Sequence, residues 1–292
     1  MSLFIGSGVA IVTPFKENGD INLDKLEELL IWHIQNNTDA IIICGTTGEG
    51  STLTDNEKKE LIKTTVEIVN KKIPIIAGVG TNNTKKSLEL SKFSKEVGAD
   101  GLLVITPYYN KTSKNGLFEH FKTINDQVDL PIMAYNVPSR TGMNISPEML
   151  FELSKLKNIT SIKEASGNLS QAILYRKLCP NIDLYSGNDD QIVPFMSIGG
   201  KGTVTVLGNI LPRIVHDITH EYINGNVKKS LDLQLKYLNF INSLFIETNP
   251  IPIKTALNLI GKNVGNFRLP LVEIDPNNLD KLKNEMKNIN LL

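Results

Sequence analysis

Two cysteines, Cys44 and Cys179, are all that 292 residues contain. That is too few for a disulfide scaffold, so both are expected to be reduced, buried thiols of a cytoplasmic protein. No apolar run reaches the length of about 18 residues that a membrane-spanning helix needs. The opening MSLFIGSGVAIVTPF lacks the basic stretch of a secretory signal and runs straight into a strand-like segment. An excess of either charge is missing too: 31 Lys and Arg balance 31 Asp and Glu. That balance offers no basic field to nucleic acid and no polybasic patch to a membrane. No low-complexity tract or Gly-Ser linker interrupts the chain. With 41% hydrophobic and 21% charged residues, a large core is within reach and disorder is excluded. A small-molecule partner is what these absences leave.

What is present is a rhythm. Short β-rich runs recur about every thirty residues, each followed by an amphipathic helical stretch. The strand candidates are 8–14, 40–45, 73–80, 101–106, 131–137, 161–166, 183–187 and 202–206. They are continuously apolar rather than alternating, which suits strands buried on both faces of a parallel sheet. Residues 22–36, following Asp20, keep helical spacing through Leu26, Leu29, Leu30 and His33. Thr54-Asp55-Asn56-Glu57 opens the next helix with a capping-box pattern, and Thr84, Asn115, Ser146 and Asn168 are candidate caps of later ones. Eight β/α units favour a closed (β/α)8 TIM barrel over residues 1–211, although the pattern also fits an open doubly wound sheet. Beyond Leu211 no strand signal recurs. Residues 212–292 are expected to be a helical extension packed on the barrel as part of one unit, interrupted at Pro250 and Pro252.

In such barrels chemistry sits at the carboxyl ends of the strands. Three of those ends carry unusual residues. Gly45-Thr46-Thr47-Gly48-Glu49 offers backbone N–H groups and two hydroxyls to a carboxylate or phosphate; a tight turn with a helix cap would use the same residues. It is not a P-loop, because GTTGEGST lacks the lysine. Tyr135, closing the fifth strand candidate, can shuttle protons, and Arg140 presents a planar fork to a carboxylate; a packed phenol and a surface arginine fit as well. Lys163 stands within an apolar strand beside small Ser161 and Ala165. Burial favours the neutral amine, which can attack a ketone and form a Schiff base. The alternative is a lysine paired with a carboxylate inside the barrel.

Other features weigh less. His216 and His220 share a helix face, but the glutamate of HExxH is absent and the segment lies beyond the barrel, so no metal is expected. Gly199-Gly200-Lys201-Gly202 fits a turn entering the eighth strand better than a phosphate loop. Tyr108 and Tyr109 place two rings at the mouth of the fourth strand, and Ser186-Gly187-Asn188-Asp189 ends the seventh.

GTTGE, TPYYN, YNVPSRTG, the lysine of SIKEASG and the SGND turn, in this order and at barrel spacing, resemble the dihydrodipicolinate synthase / N-acetylneuraminate lyase family. The resemblance extends from VTPF to NPIPIK, essentially the whole chain. The GTTGE loop and the arginine in YNVPSRTG resemble the synthase branch; lyases of sialic acid typically have GSTGE and no such arginine. The resemblance implies a class I lyase in lysine and diaminopimelate biosynthesis that condenses pyruvate with L-aspartate 4-semialdehyde. It implies that Lys163 forms the imine, that Thr46 and Thr47 hold the pyruvate carboxylate, and that Thr46 is hydrogen-bonded to Tyr135. Tyr135 is implied as the proton relay, completed by Tyr109 across a tight dimer interface. Arg140 is implied to bind the semialdehyde carboxylate, with Gly187 and Val204 lining the pyruvate pocket. Val204 is a mild departure from the isoleucine common there. Neither metal nor organic cofactor is implied, and a homotetramer built as a dimer of tight dimers is.

One departure concerns regulation. Where lysine-inhibited relatives use a histidine and a glutamate, this sequence has Lys58 and Lys86. Two ammonium groups repel a third, so weak or absent inhibition by lysine is expected. The competing functions are another pyruvate-dependent aldolase, such as an N-acetylneuraminate or keto-sugar-acid lyase, and a non-catalytic barrel that binds a keto acid.

Overall fold

The computed structural model describes residues 2–292. Eight strands form the sheet: β1 Gly6–Ala10, β2 Ala40–Ile43, β3 Ile75–Gly78, β4 Gly101–Ile105, β5 Ile132–Asn136, β6 Ile159–Glu164, β7 Asp183–Ser186 and β8 Gly202–Thr205. Each pairs with the next, and β8 closes in parallel on β1, so the sheet is a barrel and not an open one. The closing seam demands glycine. A Cβ on Gly202, at φ +155°, would lie 1.9 Å from the carbonyl oxygen of Gly6, a distance no side chain tolerates.

The continuously apolar strands are explained by two cores. Phe4, Ala10, Ile42, Ile76, Leu103, Met133, Tyr135, Tyr185 and Val204 fill the barrel interior. The alternate positions, among them Val9, Ile41, Ala77, Val104, Ala134 and Ile162, pack against the surrounding helices. The helix Leu23–Gln35 buries the expected stripe of Leu26, Leu29, Leu30 and His33. Each such leucine contributes roughly 1.5–3 kcal/mol on leaving water. Tyr185 closes the floor by donating its hydroxyl to the Phe4 carbonyl at 2.6 Å.

Several boundaries differ from the sequence reading. β1 ends at Ala10 rather than Pro14, because the Val12 N–H turns to the side chain of Asn209 at 3.0 Å and proline brings no N–H to a ladder. β6 begins two residues earlier than expected. The capping box at Thr54 forms, and Ser146 and Asn168 cap as expected. Elsewhere the cap is the residue whose oxygen meets the N–H three positions on: Asn22, Asn83 rather than Thr84, and Ser113 rather than Asn115. Thr84 instead bonds His120 Nδ1 at 2.9 Å. After β8 come four helices of nine residues or more, Pro212–Ile223, Val227–Ser243, Ile251–Leu259 and Pro276–Asn288. Their apolar faces share the outer core.

Candidate active site

The fifth and sixth strands put the two central groups side by side. Tyr135 is the register partner of Lys163, and Lys163 in turn of Tyr185. Lys163 is 6% exposed, and its Nζ lies 4.3 Å from the centroid of the Tyr135 ring, within cation–π range for an ammonium. No carboxylate pairs with Lys163 among the described residues, so the buried-ion-pair alternative finds no support. Gly187, one residue beyond β7, leaves room beside the amine. A Cβ there would come within 3.1 Å of Lys163 Cε and 2.6 Å of Ala165 Cβ. Val204 is buried in the interior cluster with Tyr135 and Tyr185.

A cavity of about 250 Å³ opens beside Tyr135, and Thr46, Lys58, Tyr108 and Arg140 stand on its wall with Cys44 and Gly45. Thr46 and Tyr135 share this wall, and no hydrogen bond joins them among the described residues. Cys44 adopts φ +59° at the turn out of β2. Gly50 and Gly78 accommodate its carbonyl, which a Cβ on either would meet at 2.4 or 2.6 Å. Burial pushes the Cys44 thiol up to about 12, with Lys58 pulling weakly the other way; it packs as a neutral group.

The threonine loop is anchored from the far end of the chain. Asn249 Nδ2 donates to Thr47 Oγ1 at 3.0 Å, and Arg140 Nη2 donates to the Asn249 carbonyl at 3.2 Å. Thr47 and Arg140, 93 positions apart by their residue numbers, are thereby joined through one asparagine. Beneath them Glu49, at φ +53°, accepts from Lys254 Nζ at 2.8 Å and from the Arg268 backbone N–H at 3.1 Å. Lys254 and Glu49 are both buried. Burial pulls the Lys254 amine below its ordinary value, and Glu49 opposes that shift. Asp189, also buried, accepts the N–H groups of Val206 and Leu207 at 2.9 and 2.7 Å. Burial raises its carboxyl while those donors lower it. Asp189 thus fixes the end of β8 beside Val204.

Sequence reasoning missed Asn249 and Lys254 as parts of this site. A lysine within the apolar IPIKTAL is the same signal that exposed Lys163. Asn249 gave none, since its partners come from two distant segments. Tyr109 lies apart from the group. It is 92% exposed, at φ +68°, so its ring contributes nothing to the site of its own chain. Lys58 is buried on the cavity wall, and Lys86 is exposed and ion-paired with Asp55 at 3.4 Å. No helix among the described residues is long and apolar enough to cross a membrane.

A closed barrel that gathers a buried amine, a phenol and a hydroxyl-rich loop at the carboxyl ends of its strands defines a lyase of the Schiff-base class. The family model described as the dihydrodipicolinate synthetase family matches residues 3–289, and the chain belongs to that family. It is 58% identical over 291 residues to the 4-hydroxy-tetrahydrodipicolinate synthase of Clostridium novyi, covering 99% of this chain and 98% of the relative. It is 60% identical over 286 residues to the enzyme of that name from Clostridium perfringens, covering 98% of each. Among solved structures, it superposes with a TM-score of 0.96 on a chloride-inhibited dihydrodipicolinate synthase of Acinetobacter baumannii complexed with pyruvate. The identity there is 39%, with 99% of both chains covered.

Proposed function

We propose that the chain catalyses the condensation of pyruvate with L-aspartate 4-semialdehyde to 4-hydroxy-tetrahydrodipicolinate. The observation that carries this reading is the register pair Tyr135–Lys163, with the open approach left by Gly187, in a chain of this family. Lys163 Nζ attacks C2 of pyruvate and water leaves, giving an imine. Loss of a C3 proton turns the imine into an enamine, whose C3 bonds to the aldehyde carbon. The semialdehyde amine then displaces Lys163 from C2, which closes the ring and frees the enzyme. The protein's own amine serves as electron sink, so the reading needs no cofactor.

Thr46 and Thr47 hold the pyruvate carboxylate. The Thr47 hydroxyl accepts from Asn249, which turns its own proton toward the ligand. Tyr135 relays protons for imine formation and cyclisation. Arg140 binds the semialdehyde carboxylate, and Gly187 and Val204 line the pyruvate pocket. Tyr109, an aromatic ring held in solvent, completes the relay in the neighbouring subunit of a tight dimer. Two such dimers form a cytoplasmic homotetramer, and residues 212–292 are a helical extension of a barrel spanning 1–211. Lys58 and Lys86 make lysine a poor regulator.

The test is turnover by the purified protein of pyruvate with the semialdehyde, set against cleavage of N-acetylneuraminate and of a keto-sugar acid. The proposal expects the first and neither of the others. Preferential cleavage of a sugar acid would assign the chain to the other branch, and pyruvate binding with no turnover of any would make it a non-catalytic barrel.

A further inference from the structure

At the opposite, amino-terminal end of the barrel, the fold supplies what the sequence withheld from His216 and His220. Asp39 immediately precedes β2, and its carboxylate meets both imidazoles. His216 Nδ1 lies 3.2 Å from Oδ2, and His220 Nε2 lies 3.1 Å from Oδ1. One donor atom from each of the three residues falls within 4.8 Å of the others. Zinc bonds of about 2.0–2.1 Å in a tetrahedron separate adjacent donors by roughly 3.3 Å. The two carboxylate–imidazole contacts are hydrogen bonds that an ion taking one nitrogen from each ring and one carboxylate oxygen would replace.

The surroundings match a ligand set as well. Helical spacing of four residues turns both imidazoles toward Asp39, and their stack at 3.8 Å opens when both nitrogens reach one ion. Ser7 fixes the carboxylate from outside, its N–H and Oγ donating to Oδ2 at 2.7 and 3.1 Å, as groups behind a metal ligand do. Gly6 keeps the space clear: a Cβ there would lie 2.2 Å from Asp39 Oδ2 and 2.7 Å from His220 Nε2. The side chains of Asp39, His216 and His220 are 19%, 17% and 32% exposed, so an ion can enter and keep water as a fourth ligand. His33 and His120, the remaining histidines, are buried, as are both thiols.

We infer that Asp39, His216 and His220 bind one divalent ion of the zinc class. Two imidazole nitrogens and one carboxylate oxygen favour zinc over magnesium, which prefers oxygen throughout. The ion would clamp the helix Pro212–Ile223 onto the starts of β1 and β2, at the end of the barrel away from Lys163. Its role is therefore structural, not catalytic.

The test is isothermal titration of the untagged, chelator-stripped protein with ZnCl2, and separately with MgCl2. The expected result is saturation at one zinc per chain, no comparable magnesium binding, and a melting temperature that rises with ZnCl2. His216→Ala and His220→Ala, which leave the Asp39–Ser7 contact intact, should each weaken zinc at least tenfold while keeping the wild-type circular dichroism spectrum. Absence of a one-to-one zinc site in the wild-type protein would overturn the inference without any variant. So would zinc affinity unchanged in both variants, or magnesium bound as tightly as zinc.

Discussion

Replacing Lys254 with methionine tests how the threonine loop is held. The ammonium is fully buried, donates to Glu49 Oε1 at 2.8 Å and to the Asn266 carbonyl at 2.6 Å, and stands 4.4 Å from the centroid of the Phe15 ring. Methionine preserves most of the volume and removes the charge, which leaves the Glu49 carboxylate buried with the Arg268 backbone N–H as its remaining donor. Removing one partner of a buried pair costs about 3–5 kcal/mol. For 292 residues, an unfolding entropy near 2.1 cal/mol/K per residue sums to about 0.6 kcal/mol/K. The melting temperature should therefore fall by about 5–8 °C, read by calorimetry. Glu49→Gln should cost a similar amount, and the double variant should lose clearly less than the two singles together, because neither charge is then stranded. Since Glu49 carries the turn that presents Thr46 and Thr47, KM for pyruvate should rise in both single variants. A melting temperature within about 1 °C of wild type for Lys254→Met would refute the reasoning.

Tyr135→Phe should lower kcat by about 100-fold or more, the scale of a lost general acid–base, while circular dichroism and melting stay at wild-type values. Lysine at millimolar concentration should leave the initial rate nearly unchanged, since the Lys58 ammonium on the cavity wall repels another; inhibition at micromolar lysine would contradict this. Acid should weaken the fold early. Burial, with Lys262 adding to it for His33, holds His33 down to about 3 and His120 down to about 4. Both groups take up protons more readily when unfolded, so the stability they contribute is complete above about pH 6.5. It is lost as pH falls from there toward 4 and 3. The urea midpoint should be lower at pH 5 than at pH 7, and a flat profile over that interval would count against neutral buried imidazoles.

Much of the barrel is legible because its strands are buried on both faces, which leaves uninterrupted apolar runs that no surface helix shows. Lys163 stands out in the sequence for the converse reason: burying an ammonium in such a run is costly. Boundaries were harder to place. β1 stops at Ala10 because Asn209, nearly two hundred residues away, takes the next strand-facing N–H, and nothing local announces that. The caps at Asn83 and Ser113 displaced their neighbours Thr84 and Asn115 through backbone geometry, where all four residue types are acceptable. Asn249, which joins Thr47 to Arg140, and Asp39, which meets His216 and His220, were invisible because their partners lie on distant segments that only barrel closure brings together.

The most direct test of the catalytic reading is the mass of the intact protein after incubation with pyruvate and borohydride. The chain should gain one pyruvate less water plus two hydrogens, at Lys163, and Lys163→Ala should gain nothing. An unchanged wild-type mass, or an adduct that persists in Lys163→Ala, would contradict it.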